Sequence, residues 1–365
     1  MNTKEVEFKI MPLMHSSFDR ELIAIDEIRQ ISSHSLDGLP PEDRAYAWLA
    51  MLGIYPMNPS LWPETKKNLV AEYWSLVPDE LKDWHTKHMP NQMCADNFNL
   101  QNKSLMTIVH GDIVRTGRTI FFFPPEPIPN ATPNPEDENI FQFGVHARRL
   151  ERILYTFSSF HRGLGYMQGF NELLPPFYYV LLHAKETLFD NSMETVEALS
   201  FHCLQELLTK TEICDLYTTT DHSSIILHKL NDFVNLMKKH LPNEASIIEG
   251  LNLHPLLYCY RWFNLMFSQE HDLPSLLAIW DALFAHFDQL VLFIYYVGIG
   301  HVKSVSSRLV RGDYGTTISA LQNLEITDIK SVLEFANQCW TADHKTAKKF
   351  DFKKDIEKFF NFSKK

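Results

Sequence analysis

The stretch Gly163–Tyr179, GLGYMQGFNELLPPFYY, decides how this chain is read. Within it, Gly165-Tyr166-Met167-Gln168-Gly169 places two glycines in five residues, which opens backbone conformations closed to other residue types and marks a tight loop. Asn171 then leads into a helical run over Leu173–Leu182, so Gln168 is expected at the loop rim with its amide free to bond outward. An earlier stretch, Val109–Thr116, reads VHGDIVRT. There Ile108, Asp112 and Arg115 recur at helical intervals, a spacing that lets the Asp112 carboxylate steady the Arg115 guanidinium one turn on. Each motif alone is weak.

Around these two stretches the apolar residues recur with helical spacing almost everywhere, and strand-like alternation is nearly absent. The spacing predicts a helix over Asp19–Ile31 with Leu22, Ile25 and Ile28 on one side. Gly38–Gly53 reads as prolines suited to a first turn, a helix, and a glycine stop. On that helix Arg44 and Trp48 lie four residues apart, so the guanidinium is placed to stack on the indole; the helix serves either as a buried anchor or in a direct role. Ser60–Leu76 is a capped helix with Leu69, Tyr73 and Leu76 on its apolar stripe. Val145–Phe160 shows the stripe Leu150, Ile153, Leu154, Phe157 and Phe160 and runs into the loop carrying Gln168. Further helices are expected from Asn191 to Leu208, from Ser223 to Lys239, over Leu273–Phe284 and over the apolar run Leu290–Gly300. Two more are expected around Gly315–Gln322 and over Thr327–Trp340, the last capped by Thr327. Tyr258–Glu270 is apolar on nearly all sides and belongs at the centre. The fold class is all-α.

Two segments depart from this pattern. Pro124–Pro135 holds six prolines, which remove donors and fix the backbone extended, so it reads as a stiff surface connection that follows the Arg115 stretch, with a proline-rich ligand for another domain as the alternative. From Thr341 to Lys365 the composition switches to eight lysines among Phe350, Phe352, Phe359, Phe360 and Phe362. That tail is either a solvated, frayed helix or an amphipathic contact with an acidic membrane or a partner.

Composition excludes several classes. With 365 residues, 45% of them hydrophobic, the chain has enough apolar side chains for a large core. A formal net charge of −11 lacks the basic footprint of a general nucleic-acid binder. Five scattered cysteines without a CxxC suit a reducing, cytoplasmic setting. The run Leu290–Gly300 is about half the ~20 residues of a membrane span. His85 and His88 lack a third ligand and an HExxH setting, so no metal site is expected. No GxxxxGK[ST] loop is present to bind a nucleoside triphosphate, and no GxSxG elbow or cysteine nucleophile setting appears. The chain is therefore not expected to be an enzyme with covalent chemistry of its own.

The motifs together carry a resemblance. Arg44-x-x-x-Trp48 with Leu52-Gly53, Val109-x-x-Asp112-x-x-Arg115-Thr116, Tyr166-x-Gln168-Gly169-Phe170-Asn171, Arg261-Trp262, and Ile279-Trp280-Asp281 with Phe284 follow in the order and spacing of TBC-domain proteins. The chain resembles that family from about Gly38 to Tyr314, and its C-terminal half looks most like the small, single-domain members. The resemblance implies a two-lobed all-α domain over residues 38–314 with a groove between the motif loops. It is preceded by a segment 1–37 with one amphipathic helix and followed by packed helices over 315–340 and the tail 341–365. It also implies acceleration of GTP hydrolysis by a Rab GTPase, with Arg115 inserted beside the Rab-bound nucleotide and Gln168 orienting water. Asp112, Thr116, Tyr166, Gly169, Asn171, Arg44 and Trp48 would support the site or the partner. GTP and magnesium would stay with the Rab, so no cofactor is implied, and the chain would act as a cytoplasmic monomer, peripheral on endomembranes. The alternative is a Rab-binding adaptor without catalysis. Val109 stands where the family has isoleucine, and Gly117-Arg118 with the proline stretch replaces the usual segment after the arginine and threonine.

Overall fold

The computed structural model describes residues 8–14, 21–87, 100–132, 138–217 and 224–344, without the side chains of residues 117, 118, 138 and 139. No β-strand occurs among the described residues. The helices are α1 (Ile25–Ser32), α2 (Pro41–Met51), α3 (Trp62–Leu76), α4 (Lys103–Arg115), α5 (Gly117–Ile120), α6 (Glu138–Phe141), α7 (Gly144–Phe160), α8 (Phe170–His183) and α9 (Lys185–Leu188). There follow α10 (Met193–Lys210), α11 (Ile225–His240), α12 (Pro242–Gly250), α13 (Tyr260–Asn264), α14 (Leu273–Ala285), α15 (Leu290–Ser304), α16 (Tyr314–Gln322) and α17 (Ile329–His344). The expected all-α, two-lobed class is what is found. One lobe packs α3, α4, α7, α8 and α10 together; the other packs α11, α14, α15 and α17, and α1 and α2 run across to α14.

Side-chain caps set the starts of α4, α10, α14, α16 and α17, whereas α3 begins at Trp62 with no side-chain cap rather than at Ser60. Ser192 caps α10, accepting from the Thr195 amide at 3.1 Å, whereas Asn191 accepts from Lys185 instead. Asp328 rather than Thr327 caps α17, accepting from the Ser331 amide at 3.2 Å. That helix continues through Thr341 to His344, past the composition switch, and residues 345–365 of the tail lie outside the described ones. At the N-terminus helix α1 begins only at Ile25; Ile28 is buried, but Leu22 precedes the helix and is exposed, and residues 19 and 20 lie outside the described ones. Tyr258–Glu270 is central, with Trp262, Phe263, Met266 and Phe267 buried, yet its helix is short. Met266 and Phe267 both adopt left-handed backbone, φ 48° and 65°, and end it.

Helix α7 is the main departure. Its Leu150, Ile153, Leu154 and Phe157 are buried as expected, but Phe160 is exposed, and the opposite, charged face is buried too. Glu151 accepts from Trp84 Nε1 at 2.9 Å and Arg148 at 2.8 Å, and pairs with His110 Nδ1 at 2.8 Å. One turn away Glu197 on α10 accepts from Arg152 through Nε at 2.9 Å and Nη2 at 2.6 Å. Burial works against the Glu151 carboxylate, but Arg148, His110 and Trp84 outweigh it and hold its pKa below the ordinary value. Charges can be sunk into a core in this way only when their hydrogen bonds are met by partners.

Above the start of α7 the proline-rich connection is pinned rather than free. The Glu126 amide donates to the Gln142 carbonyl at 2.7 Å, the Val145 amide to the Glu126 carbonyl at 3.0 Å, and Ile128 is buried against Gly144. Residues 133–137 of that connection lie outside the described ones.

Candidate functional site

Helix α4 forms because Asn102 caps it, accepting from the Leu105 amide at 3.0 Å, and because Met106, Val109 and Ile113 face the core against α7. That orientation turns Ile108 outward, half exposed, and brings Arg115 to the last position of the helix. The Arg115 side chain is 69% exposed while that of Asp112 is 5% exposed, and the two are joined at 2.5 Å. The pair is thus a buried carboxylate holding an outward-pointing cation, unlike an ordinary surface ion pair, in which both partners are solvated.

The second loop meets the first through that same carboxylate. Tyr166 donates its hydroxyl to Asp112 Oδ2 at 2.8 Å while Arg115 occupies Oδ1. Burial first, and the Asp112 charge second, raise the Tyr166 pKa, so the phenol stays protonated and keeps donating. Gly169 sits at φ 112° and caps α8. A Cβ there would lie 2.8 Å from Leu265 Cδ2 and 3.2 Å from the Tyr217 ring, so both the turn and the close approach require glycine. Between Tyr166 and Gly169, Gln168 is exposed, and its amide makes no hydrogen bond with the described residues. A second bridge runs beneath: Asn171 donates to Thr116 Oγ1 at 2.7 Å and accepts from the Gly169 amide at 3.1 Å. The structure therefore brings Asp112, Arg115, Thr116, Tyr166, Gly169 and Asn171 together, with Gln168 in the linked loop.

Helix α8, which carries Asn171 at its start, has Pro175 and Pro176 inside it. Their missing N–H groups leave the Asn171 and Glu172 carbonyls without their usual helical donors, a local weakness at the base of the site. The Glu172 side chain itself is tied, accepting from Gln269 Nε2 at 3.3 Å.

Arg44 and Trp48 are placed elsewhere, and they do not stack. Both reach the buried carboxylate of Asp281: Arg44 through Nε at 3.0 Å and Nη2 at 3.0 Å, Trp48 through Nε1 at 2.8 Å. The Leu36 amide adds a further donor at 2.8 Å. A cation next to a fully buried carboxylate gains more from a direct bond than from a ring face, which is why pairing wins over stacking. Burial works against the Arg44 charge, but Asp281 and Asp37 together raise its pKa above the ordinary value. Trp48 touches the site only indirectly, through its edge-on contact with Phe177 of α8 at 5.8 Å. The sequence carried one signal for Asp281, its place in the Ile279-Trp280-Asp281 block, and that block did not name its partners. The anchors of Gly169, Tyr217 and Leu265, had none.

Among the described residues no group of three or more His, Cys, Asp or Glu side chains is arranged to hold a metal ion. His85 lies in a 3-10 turn, Trp84–Thr86, and His88 lies outside the described residues. Cys94 does as well, and the other four cysteines are free thiols. No single helix among the described residues is long and apolar enough to cross a membrane.

Comparison with known families adds the deciding observation: a model of the Rab-GTPase-TBC domain matches residues 44–310. The chain belongs to the Rab-GTPase-TBC family. Among curated members, TBC1 domain family member 13 of Homo sapiens is 28% identical over 194 residues, covering 53% of this chain and 48% of its own length. GTPase-activating protein GYP1 of Saccharomyces cerevisiae is 22% identical over 300 residues, covering 78% of this chain and 41% of its own. The chain thus spans half or less of the length of these relatives. The crystal structure of the Ypt/Rab-GAP domain of Gyp1p superposes with a TM-score of 0.68 at 22% identity, over 92% of this chain and 98% of that one. At that identity the likeness concerns the TBC fold.

Proposed function

We propose that this TBC protein is a GTPase-activating protein for a Rab-family GTPase, supplying Arg115 and Gln168 in trans to a nucleotide held, with its magnesium, by the Rab. The observation that carries the reading is the double bridge between the two loops. Asp112 and Tyr166 join them on one side, Asn171 and Thr116 on the other, and an exposed cation and an exposed amide stand on the pair. Membership of the family and the likeness to proteins named as GTPase-activating supply the reaction class.

The chemistry follows from what a slow GTPase lacks. Charge builds on the transferring phosphoryl group, and the attacking water is loosely placed. A guanidinium brought from outside compensates that charge and is worth about 10³ to 10⁵ in rate, or ~4 to 7 kcal/mol of barrier. Its planar fork bridges two oxygens, which an ammonium cannot do. The Gln168 amide offers a donor and an acceptor to fix the water. On this reading the protein is not itself a nucleotide-hydrolysing enzyme and needs no cofactor, and it works in the cytoplasm at membranes where its Rab resides.

Phosphate release from a panel of GTP-loaded Rabs, with and without the purified protein, tests the proposal. Catalytic amounts are expected to accelerate release by at least one Rab. Stable complexes with a GTP-loaded Rab and no acceleration across the panel would replace the proposal with a binding adaptor.

A further inference from the structure

The two finger loops come from segments more than fifty residues apart, and something must hold them at a fixed offset. Asn171 is placed to do so. Its side chain is buried, 6% exposed, at the start of α8, and both halves of its amide are used. The Oδ1 atom accepts from the Gly169 amide at 3.1 Å, directly after Gln168. The Nδ2 group donates to Thr116 Oγ1 at 2.7 Å, directly after Arg115, and approaches the Asp112 carbonyl at 3.4 Å. Thr116 passes the chain of bonds on by donating its hydroxyl to the same Asp112 carbonyl at 3.0 Å.

We propose that Asn171 is a positioning residue that sets the Gln168 loop and the Arg115 helix end at one working separation, with Thr116 as its relay. The inference rests on the GTPase-activating reading and deepens it. The residue type follows from the geometry. Only a carboxamide of this length can accept from one loop and donate to the other; aspartate keeps the acceptor and loses the donor, and leucine keeps only the volume. The Tyr166–Asp112 bond also ties the loops, but it depends on a carboxylate that Arg115 engages as well. The Asn171–Thr116 bond involves neither finger and does not depend on the Asp112 carboxylate. Being buried, Asn171 touches no substrate and acts only through the groups it places. Displacing a reacting group by about 1 Å is enough to lose on the order of a hundredfold in rate.

Two measurements test this. In single-turnover hydrolysis with a responsive Rab, Asn171→Asp and Asn171→Leu are expected to lower the maximal rate at least about tenfold while the half-saturating concentration of the protein stays within about twofold. Thr116→Ser, which keeps the relay hydroxyl, is expected to retain the wild-type rate, and Thr116→Val to behave like the Asn171 variants. Amide hydrogen exchange on the protein alone is the second readout and needs no GTPase. Asn171→Asp is expected to speed exchange in segments 112–118 and 163–170 together and leave α15 and α17 unchanged. Unchanged maximal rates in both Asn171 variants, loss in Thr116→Ser equal to that in Thr116→Val, or exchange changes confined to one loop would overturn the inference. Absence of acceleration by the wild-type protein would count against the parent reading alone, with the exchange result still deciding whether the brace exists.

Discussion

A single carboxylate at Asp281 joins parts of the chain that sequence distance keeps well apart. It satisfies the Leu36 amide, the Arg44 guanidinium and the Trp48 indole, each more than two hundred positions away, and its own side chain is wholly buried. Arg44 and Trp48 are four apart on one helix, so their proximity was legible in the sequence. The carboxylate they share was not, because a contact of that separation leaves no local pattern. Removing it leaves the Trp48 indole N–H and the Leu36 amide without their acceptor and the Arg44 guanidinium with only the more exposed Asp37, which costs far more than the pair itself contributes. Asp281→Ala is expected to lower the unfolding free energy by about 3 kcal/mol or more, read by urea denaturation. A loss within the ~0.5 kcal/mol typical of surface changes would show that the carboxylate is not a structural hub.

A long helix with one buried face was legible, whereas the nine-residue α12, which buries only Ala245 and Ile248, was not. The stripe Ile226, Leu230, Phe233 and Met237 on α11 is fully buried, as its period implies. The pattern fails on α7, where Arg148, Arg149, Glu151 and Arg152 look like a solvent face and are in fact buried against α4, α10 and the 3-10 turn at Trp84. Nothing local distinguishes a charge facing water from one facing a partner charge on another helix. At the site, the glycine loop and the Asp112/Arg115 spacing were readable because both are short-range, whereas the Tyr166–Asp112 link between them is a tertiary contact. Close approach of helices is another feature hidden from periodicity. On α15, Gly300 lies so near α17 that a Cβ would sit 2.6 Å from the Val332 carbonyl oxygen. Because the obstacle is backbone, side-chain rotation cannot relieve it, and the two helices must separate. Gly300→Ala is therefore expected to destabilise the protein by ~1 to 3 kcal/mol, even though alanine favours helices, as measured by equilibrium unfolding. A neutral or stabilising result would mean that α17 shifts without cost.

Across the whole molecule, buried histidines couple stability to pH. Burial pushes His301 down to about 3 and His146 and His286 to about 4. His301 donates from Nδ1 to the Val297 carbonyl at 2.7 Å, which leaves Nε2 to accept from His271 at 2.8 Å, so the pair is built for a neutral ring at residue 301. With folded pKa values below the unfolded value near 6.5, the unfolded chain binds more protons between those limits. Stability is thus complete above about pH 6.5 and is lost as pH falls toward 4 and 3, by up to ~1.4 kcal/mol per pH unit for each such histidine. Urea unfolding at pH 7, 6 and 5 is expected to show this decline, with a shallower slope in His301→Gln; equal slopes would remove His301 from the account.

Membership of the TBC family accounts for the fold, while the proposed use of the two loops rests on their geometry. The most direct measurement is single-turnover GTP hydrolysis by a responsive Rab with wild-type protein, Arg115→Ala, Gln168→Ala and the double variant, each first verified as folded. Each single variant is expected to reduce the acceleration at least about a hundredfold while Rab binding persists. Acceleration by the double variant equal to that of the wild type would contradict the claim that these two side chains complete the partner's active site.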